Sequence, residues 1–441
     1  MKFKIFNDII DFDWQLLLLH LIYFALLLWV YSSFIVVIYS YGNLKDALNI
    51  NKTLIAPIVI TITFCFLRNN GLPSYYFFNI ILALLITPSL VVFSGSNLPF
   101  SFIAVLWLAF AVVVLVSQHI KIPRVSIKHI NIKILLRTLV VLSLLLIACM
   151  LALGGAKYMN FNLLKVYDFR GAATDNLPGI FGYFVQSFSK VVVPIGIILS
   201  LIYRKWLSLL LFIFCAVMIF ALSGHKTPLF IPIVTVFVYW FLRFKNGLKL
   251  TILALIVLIA IGGLDFFLEQ KGAGGISGLF GSLFVRRAII VPSFLNWVYY
   301  DFFSYNPQSF WSGSKISFGL VDRVYDVSVT NVIGERYLGK EGLSANVGWI
   351  GSGMAQAGYF GIAIYSVLIG LILSFVDSYS KKLGYSFVIS IFIITFITMI
   401  LSADLITMML THGLLIFLLL IIFLPRRIFR VTAFGFFWNG S

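Results

Sequence analysis

Residues 284–303 read FVRRAIIVPSFLNWVYYDFF, and they set Arg286 and Arg287 at the head of an apolar, aromatic run that reaches Asp301. Guanidinium groups pair with phosphate oxygens through two parallel hydrogen bonds, so phosphate or diphosphate binding is the chemistry two such arginines offer. Only 13 residues separate Arg287 from Asp301, too few to cross a bilayer. The run is therefore expected as a re-entrant or interfacial helix, kinked or restarted at Pro292. Its arginines would lie at headgroup depth, with Trp297, Tyr299 and Tyr300 in the same layer. Plain anchoring to headgroups has the same composition and stays open beside the diphosphate role.

Other cations invite the same two readings. Arg170 ends VYDFR (166–170) in a segment with one apolar face, an interfacial connector or a diphosphate contact. His225 and Lys226 lie in the small-residue turn SGHKTPLF (223–230), solvated or in contact with phosphate. Lys190 is eleven residues into the apolar run that begins at 179, a functional candidate by its depth unless it snorkels outward. Asp404 reads as a boundary residue of the last apolar run, and His412 within that run reads as a packed, hydrogen-bonded histidine.

The elements that position these groups are transmembrane helices. Of 441 residues, 61% are hydrophobic and 11% charged, against about 25% charged in soluble domains. The fold class is an all-α polytopic integral membrane protein, a single transmembrane domain over 1–441. Twelve apolar runs are candidate spans: 15–40, 53–67, 74–95, 99–117, 134–154, 179–203, 206–222, 228–243, 249–267, 352–376, 385–402 and 404–424. Cys65, Cys149 and Cys215 all fall inside such runs, so unpaired thiols are expected and no disulfide or metal spacing exists. The first run is too long for a cleavable leader, and none is expected.

Lysine and arginine set the orientation. The loops HIKIPRVSIKHINIK (119–133), YRKW (203–206), RFKNGLK (243–249), SKKLG (380–384) and RRIFR (426–430) are basic. Placing them in the cytoplasm gives an N-in, C-in topology. It puts 18 of the 32 basic residues inside with four of the 15 acids, and 14 outside with 11 acids. Of the net charge of +17, +14 is then inside and +3 outside. The charge reflects topology, and a nucleic-acid partner loses its support. Two longer extracytoplasmic loops follow, 155–178 and 268–351, the larger with a Gly-rich start and short interfacial helices. The cytoplasmic loops hold no phosphate-cradling glycine loop. Chemistry is expected outside, where a synthetic reaction needs a pre-activated, membrane-carried substrate such as a polyprenyl diphosphate sugar.

The segment SANVGWIGSGMAQAGYFGIAIYSVLIG (344–370), with Asn346, Gly348, Gly351, Ala355, Gly358 and Gly361, resembles the late segment of the Wzy-type oligosaccharide repeat-unit polymerases. VYDFR, a following helix with Pro194, and the SGHKTP turn add to the likeness, which covers about 160–375. Some members carry an arginine, ten residues and a glycine in two outer loops. Arg323 and Gly334 fit that spacing; Arg170 is followed there by Phe181, with Gly182 one residue later. The resemblance implies a GT-C-like fold in the bacterial cytoplasmic (inner) membrane. It implies transfer of a growing glycan from one undecaprenyl diphosphate to another lipid-linked repeat unit, without a metal or other cofactor, as in O-antigen ligases and SEDS glycosyltransferases. Arg170, Arg286, Arg287 and Arg323, with Lys190 and Lys226, would then stabilise the leaving diphosphate. Glu335, Asp301 or His225 would serve as general base. Trp297, Tyr300, Trp311 and Tyr337 would stack on sugars, an arrangement equally consistent with loop packing. Membrane lipids surround the site, and a chain-length regulator and a flippase are candidate partners.

Three other readings stand beside the polymerase. A lipid-linked oligosaccharide flippase or other transporter would show a two-fold repeat and broken helices at the midplane; no such repeat is visible. An O-antigen ligase would share the polymerase's chemistry. An acyltransferase rests on His412 alone.

Overall fold

The computed structural model describes residues 2–5, 8–39, 44, 47–125, 130–162, 178–272 and 274–424. Apart from a short antiparallel ribbon of Lys2–Ile5 with Asp8–Asp11, the described elements are helices. Eight are long and apolar enough to cross a membrane: α1 (Trp14–Ile38), α3 (Pro73–Gly95), α4 (Phe100–His119), α5 (Ile132–Ala152), α6 (Ile180–Ile202), α7 (Trp206–Ser223), α9 (Gly247–Gln270) and α12 (Trp349–Leu383). Four shorter apolar helices are α2 (Ile50–Phe66), α8 (Thr227–Phe241), α13 (Tyr385–Leu401) and α15 (Leu414–Phe423). The chain is a multi-pass membrane protein. These helices lie on the twelve apolar runs expected from sequence. Three further helices occupy 281–305 (α10), 329–337 (α11) and Leu405–Leu410 (α14).

Two compact units form. The first comprises Met1–Lys121, Asn246–Ser374 and Thr398–Leu405; the second comprises Ile122–Lys245, Phe375–Ile397 and Ile406–Ser441. In the first, α3 is buried along its whole length, as a helix apolar on every side must be. Small residues let its neighbours approach. A Cβ on Gly95 would lie 2.3 Å from the Tyr31 ring, and one on Gly262 of α9 would lie 2.3 Å from Val285 of α10. In the second unit, Leu146, Ile147 and Met150 of α5 pack with Val185 of α6 and with Cys215, Ile219 and Leu222 of α7. Gly196 of α6 seats against the Phe212 ring of α7. The outward faces carry large apolar side chains such as Leu18, Ile22, Leu207 and Leu210, the surface a bilayer would solvate.

The 284–303 stretch departs from expectation. It lies within one helix over 281–305, ten π-helical residues followed by fifteen α-helical ones, longer than the short segment expected between Arg287 and Asp301. More than half of its side chains are buried, Arg287 and Ala288 being exposed, and it is tied to α9 and α3: the Gly281 amide donates to Asp265 Oδ2 at 2.9 Å, and Ser293 Oγ donates to the Leu85 carbonyl at 3.3 Å. The helix runs on without interruption through 281–305, and Pro292 does not restart it. It sits two residues beyond the π-helical stretch, where the wide turn spares the carbonyl that a proline ring would strike. Pro88 of α3 and Pro194 of α6 stand in the same place, two residues beyond the π-helical stretches Leu82–Ile86 and Phe188–Val192.

The run expected as one helix over 352–376 is also interrupted. Ala357 and Gly358 leave helical geometry, with Gly358 at φ 59° and ψ −141°. Gly353 and Gly361 meet backbone to backbone, a Cβ on Gly361 falling 2.1 Å from the Gly353 oxygen. Eight residues of unbroken helix would separate them by about 12 Å, so the chain reverses at 357–358. The last run, 404–424, is broken too: α14 ends at Leu410, and α15 starts at Leu414 after Gly413 at φ 86°.

Candidate functional site

In the first unit, the C-terminal half of α10 carries Trp297, Tyr300 and Asp301 toward the segment 306–348. Asn296, one position before Trp297, fixes the start of α12: its Oδ1 accepts from the Gly351 amide at 2.9 Å while its Nδ2 donates to the Pro292 carbonyl at 2.8 Å. Tyr299 Oη donates to the Ala345 carbonyl at 2.8 Å, and the Ala345 amide donates to Thr330 at 3.0 Å. The returning chain is thereby fastened to α10 and to α11. Gly334 is needed on α11 because a Cβ there would lie 1.8 Å from the Leu343 oxygen.

Tyr337, the last residue of α11, donates its hydroxyl to Asp301 Oδ2 at 3.0 Å, and the Trp297 indole bonds the same phenol. Burial first, then the charge of Asp301 and the bond to it, push the Tyr337 phenol up to about 12 against the indole's opposing effect. The phenol is thus a permanent donor at neutral pH, and one carboxylate oxygen of Asp301 is occupied. Trp297 and Tyr300 lie with ring centroids 5.9 Å apart, both against Phe102. Tyr300 and Tyr359, the first residue after the chain reversal, bring their hydroxyls to 3.4 Å. A half-buried carboxylate, oriented by a phenol and walled by aromatic rings, results.

A second carboxylate of the first unit is held by other aromatic residues. Asp404 Oδ2 accepts from Tyr365 Oη at 2.8 Å, and the same phenol oxygen accepts from Trp311 Nε1 at 2.8 Å. Trp311 is aimed by a strained turn: Phe310 and Trp311 have φ of 47° and 57°, values that cost bulky residues energy. Gln356 sustains the turn. Its Oε1 accepts from the Trp311 amide at 2.8 Å and from Ser309 Oγ at 2.6 Å, and its carbonyl accepts from the Phe310 amide at 2.8 Å.

Asp301, Trp297, Tyr300 and Tyr337, expected separately from sequence, are brought together. Trp311 joins the second carboxylate. Glu335 is half-exposed two residues before Tyr337, and Arg323 is exposed on the segment before α11. Arg286 and Arg287 do not join them. Arg286 is fifteen residues before Asp301 on one helix, about 22 Å along its axis. Its guanidinium lies 3.9 Å over the Tyr39 ring and donates to Ser282 Oγ at 2.8 Å, a structural use. Arg287 is exposed. Arg170 lies outside the described residues. Lys190, His225 and Lys226 belong to the second unit. Asp404, Tyr365, Gln356 and Tyr359 were not singled out as site residues from sequence; the signal for Asp404 was an acid between apolar runs with no base nearby in the chain.

Among the described residues no group of histidine, cysteine and carboxylate side chains could hold a metal ion. Chemically, the arrangement offers carboxylate oxygens to a hydroxyl proton and aromatic faces to a carbohydrate ring. No family model, curated protein or solved structure matches the chain.

Proposed function

We propose that the chain is a glycosyltransferase that polymerises undecaprenyl-diphosphate-linked oligosaccharide repeat units into a surface polysaccharide, such as an O-antigen, capsule or exopolysaccharide. It would work at the outer face of a bacterial cytoplasmic membrane. The observation that carries the reading is the Asp301 carboxylate, held by Tyr337 and walled by Trp297 and Tyr300. The resemblance of 344–370 to the Wzy-type polymerases and the twelve apolar helices add support. The proposal includes an N-in, C-in topology with twelve crossings and a GT-C-like arrangement, which place 306–348 outside.

In this mechanism Asp301 takes the proton of an acceptor sugar hydroxyl. The hydroxyl oxygen bonds to the anomeric carbon of the donor, and the bond from that carbon to the undecaprenyl diphosphate breaks. The electron pair departs with the diphosphate, and Arg323 is the cation of the adjoining segment assigned to its charge. Aromatic faces hold the acceptor ring so that attack is intramolecular in effect.

Deleting the gene in its host tests the reading. Surface glycan capped with one repeat unit is expected. Unchanged chain length refutes it; loss of all surface glycan identifies a flippase, and long chains retained on the lipid carrier identify a ligase.

A further inference from the structure

Residues 307–325 form a loop of the first unit, closed at its mouth where Tyr325 Oη donates to the Pro307 carbonyl at 2.6 Å. One side is fastened to α12: the Ser309 and Phe310 amides donate to the Ala355 and Gln356 carbonyls, both at 2.8 Å. Beyond that the loop is ordered by its own bonds. The Ser314 amide donates to the Trp311 carbonyl, Ser317 Oγ to the Ser314 carbonyl and the Leu320 amide to the Ser317 carbonyl, each at 2.8 Å. The last bond closes a tight turn over Phe318 and Gly319, with φ of 48° and 77°. Positive φ at both central residues belongs to a turn type in which glycine, asparagine and aspartate dominate. A phenylalanine is held there at a cost, and packing within the chain does not offset it. Phe318 is 87% exposed and Leu320 88%, with Ile316 and Val321 exposed beside them. No described side chain over 313–324 is buried.

The base of this loop stands at the level of a bilayer surface. The arm of α12 beyond the chain reversal, 359–383, is about 37 Å long, enough to cross a hydrocarbon core of about 30 Å. Lys381 and Lys382 close one end of that arm, so Tyr359 and Phe360 at its other end lie at the opposite surface. Phe360 is 72% exposed, an aromatic residue at the depth where interfacial aromatics collect. The 309–310 backbone is bonded to 355–356, just ahead of that end, and Trp311 Nε1 is bonded to Tyr365 in the second turn of the arm. The composition suits the same place. No acid occurs between Asp301 and Asp322, so the tip enters a leaflet without a carboxylate to desolvate. An apolar tip kept in water would be a liability; against lipid it is not.

We propose that the tip 316–321 is seated in the lipid leaflet at this surface, with Phe318 and Leu320 among the acyl chains. The surface stands independently of the glycosyltransferase reading. Burial in lipid offsets the strained turn, and it holds the far side of the loop whose near side aims Trp311. The full chain with p-benzoylphenylalanine in place of Phe318, reconstituted in phosphatidylcholine nanodiscs and irradiated, tests this by intact mass. The same replacement of Leu18, 57% exposed on the apolar face of α1, sets the yield of a lipid-facing position. A phosphatidylcholine adduct at position 318 with a yield comparable to that at position 18 is expected. Three results in its place overturn the proposal: a cross-linked pair of chains identifies a second copy as the occupant, a link within the chain identifies another of its own segments, and no adduct leaves the tip in water. If the first variant does not fold, the same replacement of Leu320 decides by the same outcomes.

Discussion

Alanine at Gly361 would set a methyl group 2.1 Å from the Gly353 carbonyl oxygen and 3.0 Å from its carbon. Ordinary contact starts near 3.4 Å, so the two backbones must part by about 1.3 Å, and neither atom is the flexible end of a side chain. Overpacking of this kind costs about 1–3 kcal/mol. In a unit of this size each kcal/mol lowers the unfolding midpoint by about 2–4 °C. Gly353→Ala meets Ile362 and Gly361 backbone atoms at 2.9–3.0 Å and should cost a similar amount. Because both substitutions open one contact, the double variant should lose less than the sum of the two. Gly182→Ala in α6 is the control: nothing lies within 4 Å of its Cβ position and its backbone is ordinary. There the exchange should be neutral or stabilise by up to about 1 kcal/mol. Midpoints measured by intrinsic fluorescence on purified, full-length protein decide the matter. A Gly361→Ala protein as stable as Gly182→Ala would refute the chain reversal at 357–358, and with it the placement of Gln356 beneath Trp311.

Asp301→Asn keeps an acceptor for Tyr337 while removing the base, so repeat-unit polymerisation should fall by about 10²–10⁴-fold with the unfolding midpoint nearly unchanged; full activity would remove Asp301 from the mechanism. Tyr337→Phe addresses the alkaline limb. A phenol whose native pKa is raised from 10.0 to about 12 contributes stability that is fully present below 10 and is lost as pH rises toward 12. The midpoint of the unmodified chain should therefore fall more steeply between these values than that of Tyr337→Phe, and parallel curves would refute the assignment.

Much of the architecture is written in the chain's composition. Apolar runs long enough to span stand out against 11% charge, and the helices fall on them. The interruptions are less legible. Counting residues between Arg287 and Asp301 predicts a short segment because charges ordinarily end an apolar helix. Here Arg286 lies over Tyr39 and Asp301 accepts from Tyr337, so the helix continues past both ends. Composition likewise predicts an unbroken helix through Gly358, since the reversal depends on Gly353 and Gly361 meeting across it. The aromatic and acidic residues of 297–337 were visible as types, whereas the pairing of Asp404 with Tyr365 and Trp311 joins segments 39 and 54 residues apart. No local pattern announces such pairs.

The widened turns ahead of Pro88, Pro194 and Pro292 carry one consequence for anyone comparing this chain with others. The five-residue turns ahead of Pro88 and Pro194 each hold about one residue more than an α-turn, so the helical wheel beyond each is rotated by about 100° relative to the wheel before it; the ten-residue stretch ahead of Pro292 shifts it further. A face traced through α6 with uniform periodicity changes sides at Lys190. A relative with one residue deleted at such a turn would keep both halves of the helix in phase with their own neighbours. Gaps inside these three helices are therefore where an alignment should place single-residue differences, although ordinary practice confines gaps to loops.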